Sequence, residues 1–172
     1  HPDGARGWWR RFVERLADRI KFAGSSLPSA PFAAAELYSR FGAASAWEIY
    51  AEVPETLASL RDRGFALAVV SNWDDRLPHL LSDLGLAERF DAIVHSAAVG
   101  REKPDPAIFQ AALTRLGVSA EETLHVGDGV HEDFEGAEAA GLQALLLVRG
   151  PRRRTERSIG DLSEVADWVR TD

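Results

Sequence analysis

The chain has 172 residues, of which 20 are basic and 27 acidic, and its formal net charge is −7. This acidic balance argues against a protein that binds the phosphate backbone of nucleic acids. The chain contains no cysteine, which excludes disulfides, thiolate metal sites and cysteine nucleophiles and agrees with a reducing, cytoplasmic location. No apolar run approaches the roughly 20 residues needed to cross a bilayer, so we expect no contact with a membrane.

The first part of the chain has the pattern of paired helices without a strand. Between Trp8 and Ile20, apolar residues recur at three- and four-residue spacing with charged residues between them, which predicts an amphipathic helix. Residues 24–28, rich in glycine, serine and proline, are predicted to break it. Ser29 is predicted to cap a second helix that ends before Gly42. We therefore predict a small helical domain over residues 1–52.

After residue 52 the sequence alternates between short apolar runs and helical patterns. The predicted strands are 65–70, 92–95, 123–126 and 144–148, and the predicted helices are 54–63, 77–84, 106–116 and 133–140. Strands that are apolar on both faces and separated by helices indicate a parallel sheet covered on both sides. The predicted fold class is therefore α/β, a doubly wound, Rossmann-like sheet over residues 53–172. Residues 149–157 are predicted to form a basic loop and residues 162–169 a closing helix.

Polar residues follow each of the first three predicted strands. Ligands bind outside the carboxyl ends of the strands in open parallel sheets, so we expect these residues to converge on one edge. The candidates in chain order are Ser71, Asn72, Lys103, Asp128 and Asp133.

Two of these segments have an ordinary structural interpretation beside the functional one. Ser71 and Asn72 could bind an anion, or they could simply form a turn. Lys103 could place a compact positive charge on a phosphate oxygen, or it could be a solvated surface lysine next to Asp105, a helix cap. Position alone leaves both pairs of alternatives open.

The segment from Gly127 to Asp133 is the strongest local signal. Asp128 and Asp133 place carboxylates between a strand end and a helix start, and hard oxygen ligands of this kind suit Mg²⁺. Carboxylates also stabilise a helix N-terminus without any metal, which is the alternative. His125, at a strand end, is interpreted as structural, whereas His131 is close enough to Asp128 to line the site.

With these motifs in this order, the chain resembles the haloacid-dehalogenase-like hydrolase superfamily, in the subgroup with a helical cap close to the phosphoglycolate phosphatases. The motifs are residues 69–72, residues 102–109, and residues 125–128 followed by Asp133. The resemblance implies that residues 1–52 are the latter part of the cap and that residues 53–172 are the hydrolase core. It implies a Mg²⁺-dependent phosphatase acting on a small phosphorylated metabolite, as a monomer or homodimer.

The resemblance also assigns roles to the candidate residues. Ser71, Lys103 and Asp128 would be the catalytic residues, and Ser71, Asn72 and Lys103 would bind the phosphoryl group. Mg²⁺ would be held by Asp128 with help from Asp133.

One motif of the family is missing from this sequence. The family carries an aspartate nucleophile at the end of a strand that precedes the cap, and no strand is predicted before Trp8. In the family this strand lies between the strands predicted here at residues 65–70 and 123–126, so its removal would leave two interior edges unpaired. We expect residues preceding His1 to carry it, with an aspartate that forms a phospho-enzyme.

Three other functions remain open on the sequence alone. The same family contains metal-independent dehalogenases that act on carbon–halogen bonds. A non-catalytic binding protein could retain the fold without the nucleophile. A receiver-type α/β module is a more distant alternative, because the first predicted strand lacks the acidic cluster that its phospho-acceptor needs.

Overall fold

The computed structural model describes residues 4–19, 30–151 and 154–169. The chain divides into two compact units, His1–Glu48 and Ile49–Asp172. Ile20, the predicted break at residues 24–28 and the predicted Ser29 cap lie outside the described residues. The division into cap and hydrolase core at residue 52 stays a prediction.

The first unit contains the two helices that the sequence predicts. Helix α1 spans Gly4–Arg19 and helix α2 spans Ala30–Phe41. They pack on each other through aromatic side chains: the Trp9 ring lies 5.1 Å from the Phe41 ring, which lies 5.0 Å from the Trp47 ring.

The second unit alternates between strands and helices, as predicted. Its helices are α3 (Val53–Asp62), α4 (Leu77–Asp83), α5 (Ser96–Val99), α6 (Pro106–Leu116) and α7 (Gly136–Ala139). Its strands are β1 (Ala68–Ser71), β2 (Ala92–His95), β3 (Leu124–Gly127), β4 (Gln143–Leu147) and β5 (Ser158–Ile159). No helix in the described part of the chain is both long enough and apolar enough to cross a membrane.

All strand pairs are parallel, which confirms the predicted α/β class. Strand β1 pairs with β2, and strand β3 pairs with β4, which pairs with β5. In the described residues no ladder joins β1 to β3, so the strands form one sheet of two and one of three. The break lies between the two strands where the sequence predicts the missing family strand.

The two strands that flank this break, β1 and β3, are less buried than β2. Three of the four residues of β2 are buried, whereas every residue of β1 and β3 is partly exposed. The best-buried residues, with no exposed area, include Val94 on β2 and Ile108 and Phe109 on α6. The two strands next to the break, β1 and β3, therefore leave part of their surface exposed.

Strand β1 begins three residues later than its apolar run because of Asp91. The Asp91 carboxylate accepts a hydrogen bond from the Leu67 amide at 2.9 Å, and the Leu67 carbonyl accepts one from the Asp91 amide at 2.8 Å. These two hydrogen bonds lie just before the β1–β2 ladder, so the regular register of the two strands begins at Ala68 opposite Ala92.

Two elements near the C-terminus differ from the prediction. The predicted basic loop leads into strand β5, whose two residues are too short to stand out in the sequence. The predicted closing helix is a 3₁₀ helix, Leu162–Asp167, with Asp161 as its N-cap accepting from the Ser163 amide at 2.8 Å.

The described arginines of the basic loop, Arg149, Arg154 and Arg157, each pair with a glutamate. Arg149 pairs with Glu52 at 2.5 Å, Arg154 pairs with Glu164 at 3.0 Å, and Arg157 pairs with Glu138. The described arginines of this loop therefore tie it to the rest of its unit and do not present an unpaired cationic surface.

Candidate active site

Lys103 and Asp133 join the carboxyl ends of the two sheets. The Lys103 ammonium donates to the Val70 carbonyl oxygen at 3.0 Å, next to the end of β1, and to Asp133 Oδ1 at 2.5 Å. Asp133 lies in the turn that follows β3. The segments that follow β1, β2 and β3 therefore meet through Lys103 and Asp133, as the sequence predicts.

Lys103 is mostly buried and keeps one donor for a ligand. Its side chain is 12% exposed. An ammonium has three N–H donors, and two of them are directed to Val70 and Asp133. Asp105, two residues on, caps α6 by accepting from the Ala107 amide at 2.9 Å. The structure thus excludes a fully solvated lysine and shows that Asp105 is a cap.

Asn72 holds the backbone of Lys103 through both ends of its amide. Asn72 Oδ1 accepts from the Lys103 amide at 2.6 Å, and Asn72 Nδ2 donates to the Lys103 carbonyl at 3.0 Å. This reciprocal pair fixes the main chain from which the lysine side chain extends. The predicted contact of Asn72 with phosphate stays a prediction, because the bonds present here are to Lys103.

Asp133 is a buried carboxylate with three donors around it. Its Oδ1 lies 2.9 Å from His125 Nε2 as well as 2.5 Å from Lys103 Nζ, and its Oδ2 accepts from the Gly129 amide at 2.9 Å. Burial raises the pKa of Asp133, but the hydrogen bonds from His125 and Lys103 and the lysine charge outweigh it, so the net pKa lies well below its ordinary value. Asp133 is therefore ionised at neutral pH.

A wide turn brings this carboxylate back to the end of β3. Residues Val130–Glu135 form a π-helical turn in which the Phe134 amide bonds the Gly129 carbonyl at 3.1 Å. A side chain on Gly127 would overlap the Asp133 carboxylate, so the carboxylate occupies the space that this glycine leaves. The predicted α-helix from residue 133 is thus replaced by a π turn followed by α7, and single π turns are frequent at functional sites.

Ser71 and Asp128 keep their polar atoms available. Ser71 ends β1 and Asp128 directly follows β3, which places each beside one side of the break. Within the described residues, neither the Ser71 hydroxyl nor the Asp128 carboxylate forms a hydrogen bond or an ion pair. Both groups can therefore bind a ligand without first giving up a protein partner.

The donor set agrees in part with Mg²⁺. The exposed Asp128 carboxylate is a hard oxygen ligand of the type that Mg²⁺ takes. The described ranges contain no group of three or more acidic or histidine side chains arranged around one metal position. Because Mg²⁺ keeps several waters and uses substrate phosphate, one or two carboxylates are enough to hold it. The pairing of Asp128 and Asp133 at a metal stays a prediction, and three of the lone pairs of Asp133 already face protein donors.

His125 belongs to the site although the sequence interpretation made it structural. It lies two residues before Gly127 on β3, so both residues face the same side of the strand. Since Asp133 fills the space over Gly127, a polar side chain at position 125 lies beside it. The two-residue spacing is the signal that could have identified His125. His131, in contrast, is exposed and pairs with Glu135 at 3.0 Å.

Comparisons with known proteins agree on one family. The family pattern described as haloacid dehalogenase-like hydrolase matches residues 1–141. The chain is 40% identical over 147 residues to haloacid dehalogenase-like hydrolase domain-containing protein 3 of Mus musculus, which covers 84% of this chain and 57% of the mouse protein. It is 36% identical over 166 residues to the phosphoserine phosphatase of Thermus thermophilus, covering 92% of this chain and 65% of that enzyme.

A solved structure shows the same architecture. The crystal structure of the HAD phosphatase from Thermococcus onnurineus aligns with a TM-score of 0.70 at 30% identity, covering 77% of this chain and 62% of that one. The chain therefore spans somewhat over half the length of the proteins that it matches.

Proposed function

Because the chain belongs to the haloacid dehalogenase-like hydrolase family, we propose that it is the phosphate- and metal-binding part of a phosphatase. The observation that carries the proposal is the Lys103–Asp133 ion pair at the carboxyl ends of β1 and β3, with one ammonium N–H still available. Phosphoryl transfer depends mainly on charge neutralisation and alignment. A buried, oriented lysine beside an available hydroxyl supplies both for a phosphate monoester.

Each residue has a separate task in this proposal. The Lys103 ammonium and the Ser71 hydroxyl would donate hydrogen bonds to the phosphoryl oxygens. Asp133 keeps the ammonium directed, because the carboxylate accepts from Lys103 and is itself held by Gly129 and His125. Asn72 acts on the Lys103 main chain and so fixes the origin of the side chain.

Asp128 is the residue that would hold Mg²⁺, with Asp133 next to it. Bound Mg²⁺ would neutralise phosphate charge and align the phosphoryl group for in-line transfer. An exposed carboxylate without a protein partner, directly after β3, supports this assignment over a metal-independent dehalogenase.

The nucleophile is proposed to be an aspartate on a strand that lies between β1 and β3. Among the described residues no ladder joins the two sheets, and β1 and β3 are partly exposed along their whole length, which supports a strand at this position. We propose that this strand belongs to residues preceding His1 and that its aspartate forms the aspartyl phosphate. The substrate is proposed to be a small phosphorylated metabolite. A cytoplasmic location and a monomer or homodimer stay predictions from the sequence.

The test uses the full-length protein that contains this chain, with p-nitrophenyl phosphate as the substrate. We expect turnover that EDTA abolishes and Mg²⁺ restores, and acid-quenched enzyme that carries phosphate on a peptide preceding residue 1. Release of chloride from 2-chloropropionate in EDTA, without release of phosphate from the ester, would identify a dehalogenase. Neither reaction, in protein that is folded by circular dichroism, would favour the binding protein.

A further inference from the structure

His125 lies where a histidine can orient the central carboxylate of the site. Its Nε2 is 2.9 Å from Asp133 Oδ1, the same oxygen that the Lys103 ammonium contacts at 2.5 Å. Its side chain is 11% exposed. The ring packs edge-on against the fully buried Phe109, with 5.1 Å between ring centroids and an interplanar angle of 90°. The imidazole is therefore held by the core on one side and directed to the carboxylate on the other.

We infer that His125 is a positioning residue, which acts on Lys103 through Asp133 by donating its Nε2 proton to Oδ1. Oδ1 already accepts from the Lys103 ammonium, which has donors only, so we assign the His125 nitrogen that faces the same oxygen as a second donor. Two donors on Oδ1 and the Gly129 amide on Oδ2 then leave the carboxylate one orientation. The inference rests on the proposed function in one respect, namely that Lys103 binds phosphate.

A purely packing role explains less of the geometry. The edge-on contact with Phe109 accounts for the burial of the imidazole, but it does not account for a nitrogen directed at Asp133. Outer partners that orient metal ligands typically change activity about 10- to 100-fold when they are removed, and we expect a loss of the same order for a group that orients Asp133. The hydrogen bond and the packing can therefore be separated by substitution.

The chain offers His95 as a matched control. His95 is the last residue of β2 and His125 is the second residue of β3, and their side chains are buried to a similar degree, at 9% and 11% exposure. Its Nδ1 has no hydrogen-bond partner among the residues that the structure describes, and it lies 3.9 Å from Asp75 Oδ1. Replacing His95 with leucine tests the loss of a buried imidazole at a strand end without the contact to Asp133.

The first experiment measures kinetics in the full-length protein with p-nitrophenyl phosphate. We expect His125→Leu to lower kcat about 10- to 100-fold with a smaller change in KM, and His125→Gln, whose amide can still donate, to recover most of the loss. His95→Leu should lower thermal stability without this loss of kcat.

A double-mutant cycle tests the link to Asp133. In an Asp133→Asn background, His125→Leu should lower kcat by less than about 3-fold further, because the effects of residues that act as a unit are not additive. Equal losses of kcat in His125→Leu and His125→Gln, or full additivity with Asp133→Asn, would overturn the inference.

A second readout does not depend on activity. Selective ¹⁵N-histidine NMR of the full-length protein reports which ring nitrogen of His125 carries the proton. We expect a proton at Nε2, with its signal changed in Asp133→Asn and unchanged in His95→Leu. Protonation at Nδ1 alone would overturn the inference even in an active enzyme. If the wild-type protein turns over no phosphate ester, the proposed function fails, and the NMR result still decides whether His125 positions Asp133.

Discussion

Asn72 and Lys103, which are 31 residues apart in the chain, are joined by two hydrogen bonds between the side-chain amide of Asn72 and the backbone N–H and C=O of Lys103. A side-chain amide that bonds both the N–H and the C=O of the same residue restricts that residue's position and orientation together. The segment after β1 and the segment before α6 are thereby joined at the residue that carries the ammonium group.

Asn72→Ala should lower kcat toward every phosphate ester by a similar factor. The loss of two hydrogen bonds, each worth about 1 kcal/mol net, releases the Lys103 main chain and leaves substrate contacts intact. Asn72→Asp should be milder, because it keeps an acceptor for the Lys103 amide. Steady-state kinetics with three esters of different size measure this. A rise in KM for one ester alone would instead support direct binding of substrate by Asn72.

Lys103→Ala should lower turnover of p-nitrophenyl phosphate by at least about 100-fold, since removal of one oriented donor from a transition state typically costs this much. Asp133 would keep its contacts with His125 and Gly129. Arg61→Ala is the control, because Arg61 pairs with Asp91 at the opposite end of β1 and should leave turnover within about 2-fold of wild type. Equal turnover in Lys103→Ala and wild type would contradict the role of the lysine.

Gly127→Ala should have a larger effect on activity than on the stability of the fold. The added methyl group would overlap the Asp133 carboxylate and displace it from Lys103. Gly117→Ala provides the comparison: Gly117 ends α6 at a φ of +70° with open space around it, so the substitution strains the backbone by about 1 kcal/mol without touching the site. We expect a lower melting temperature in both variants and a large loss of kcat in Gly127→Ala alone, as measured by thermal denaturation and by kinetics below the transition.

Asp128→Asn should raise the Mg²⁺ concentration needed for half-maximal activity by about 10-fold or more, because the neutral amide is a weaker ligand for a hard cation. A Mg²⁺ titration of EDTA-treated enzyme measures this shift. Glu132→Gln, another exposed acidic residue of the same turn, is the control and should leave the titration unchanged. Identical Mg²⁺ curves for Asp128→Asn and wild type would show that Asp128 is not a metal ligand.

Because the pKa of Asp133 is lowered, we predict that its contribution to the stability of the fold is lost at acid pH. Because the folded-state pKa lies below the unfolded value of about 3.9, ionised Asp133 contributes stability that is fully present above the unfolded pKa. This contribution is lost as the pH falls through the folded-state pKa. In EDTA, the difference in free energy of unfolding between wild type and Asp133→Asn should shrink as the pH falls below about pH 4. Urea denaturation at several pH values measures it, and a difference that grew toward acid would refute the assigned direction.

The sequence was sufficient for the order of the elements and for the edge on which the site lies. Helix α6 and strand β2 have the predicted bounds, because prolines, glycines and apolar runs mark their ends locally. The contacts of Asp133 were not predictable in the same way. They join residues up to 30 positions apart and depend on a π turn, whose bond from Phe134 to Gly129 differs from an α-helical bond by one residue. Strand β5 was missed because two residues carry no periodic pattern.

The division between β1 and β3 has a consequence for how an active molecule would be assembled. If the nucleophile lies on the strand that fills this division, residues 1–172 would act as the strand acceptor, and a separate peptide with the sequence of that strand could be added as the strand donor. Catalytic activity would then follow the occupancy of the acceptor, as in fragment complementation, and would rise with peptide concentration to a plateau. The affinity of one strand for its two neighbours could be read directly from the rate of ester hydrolysis.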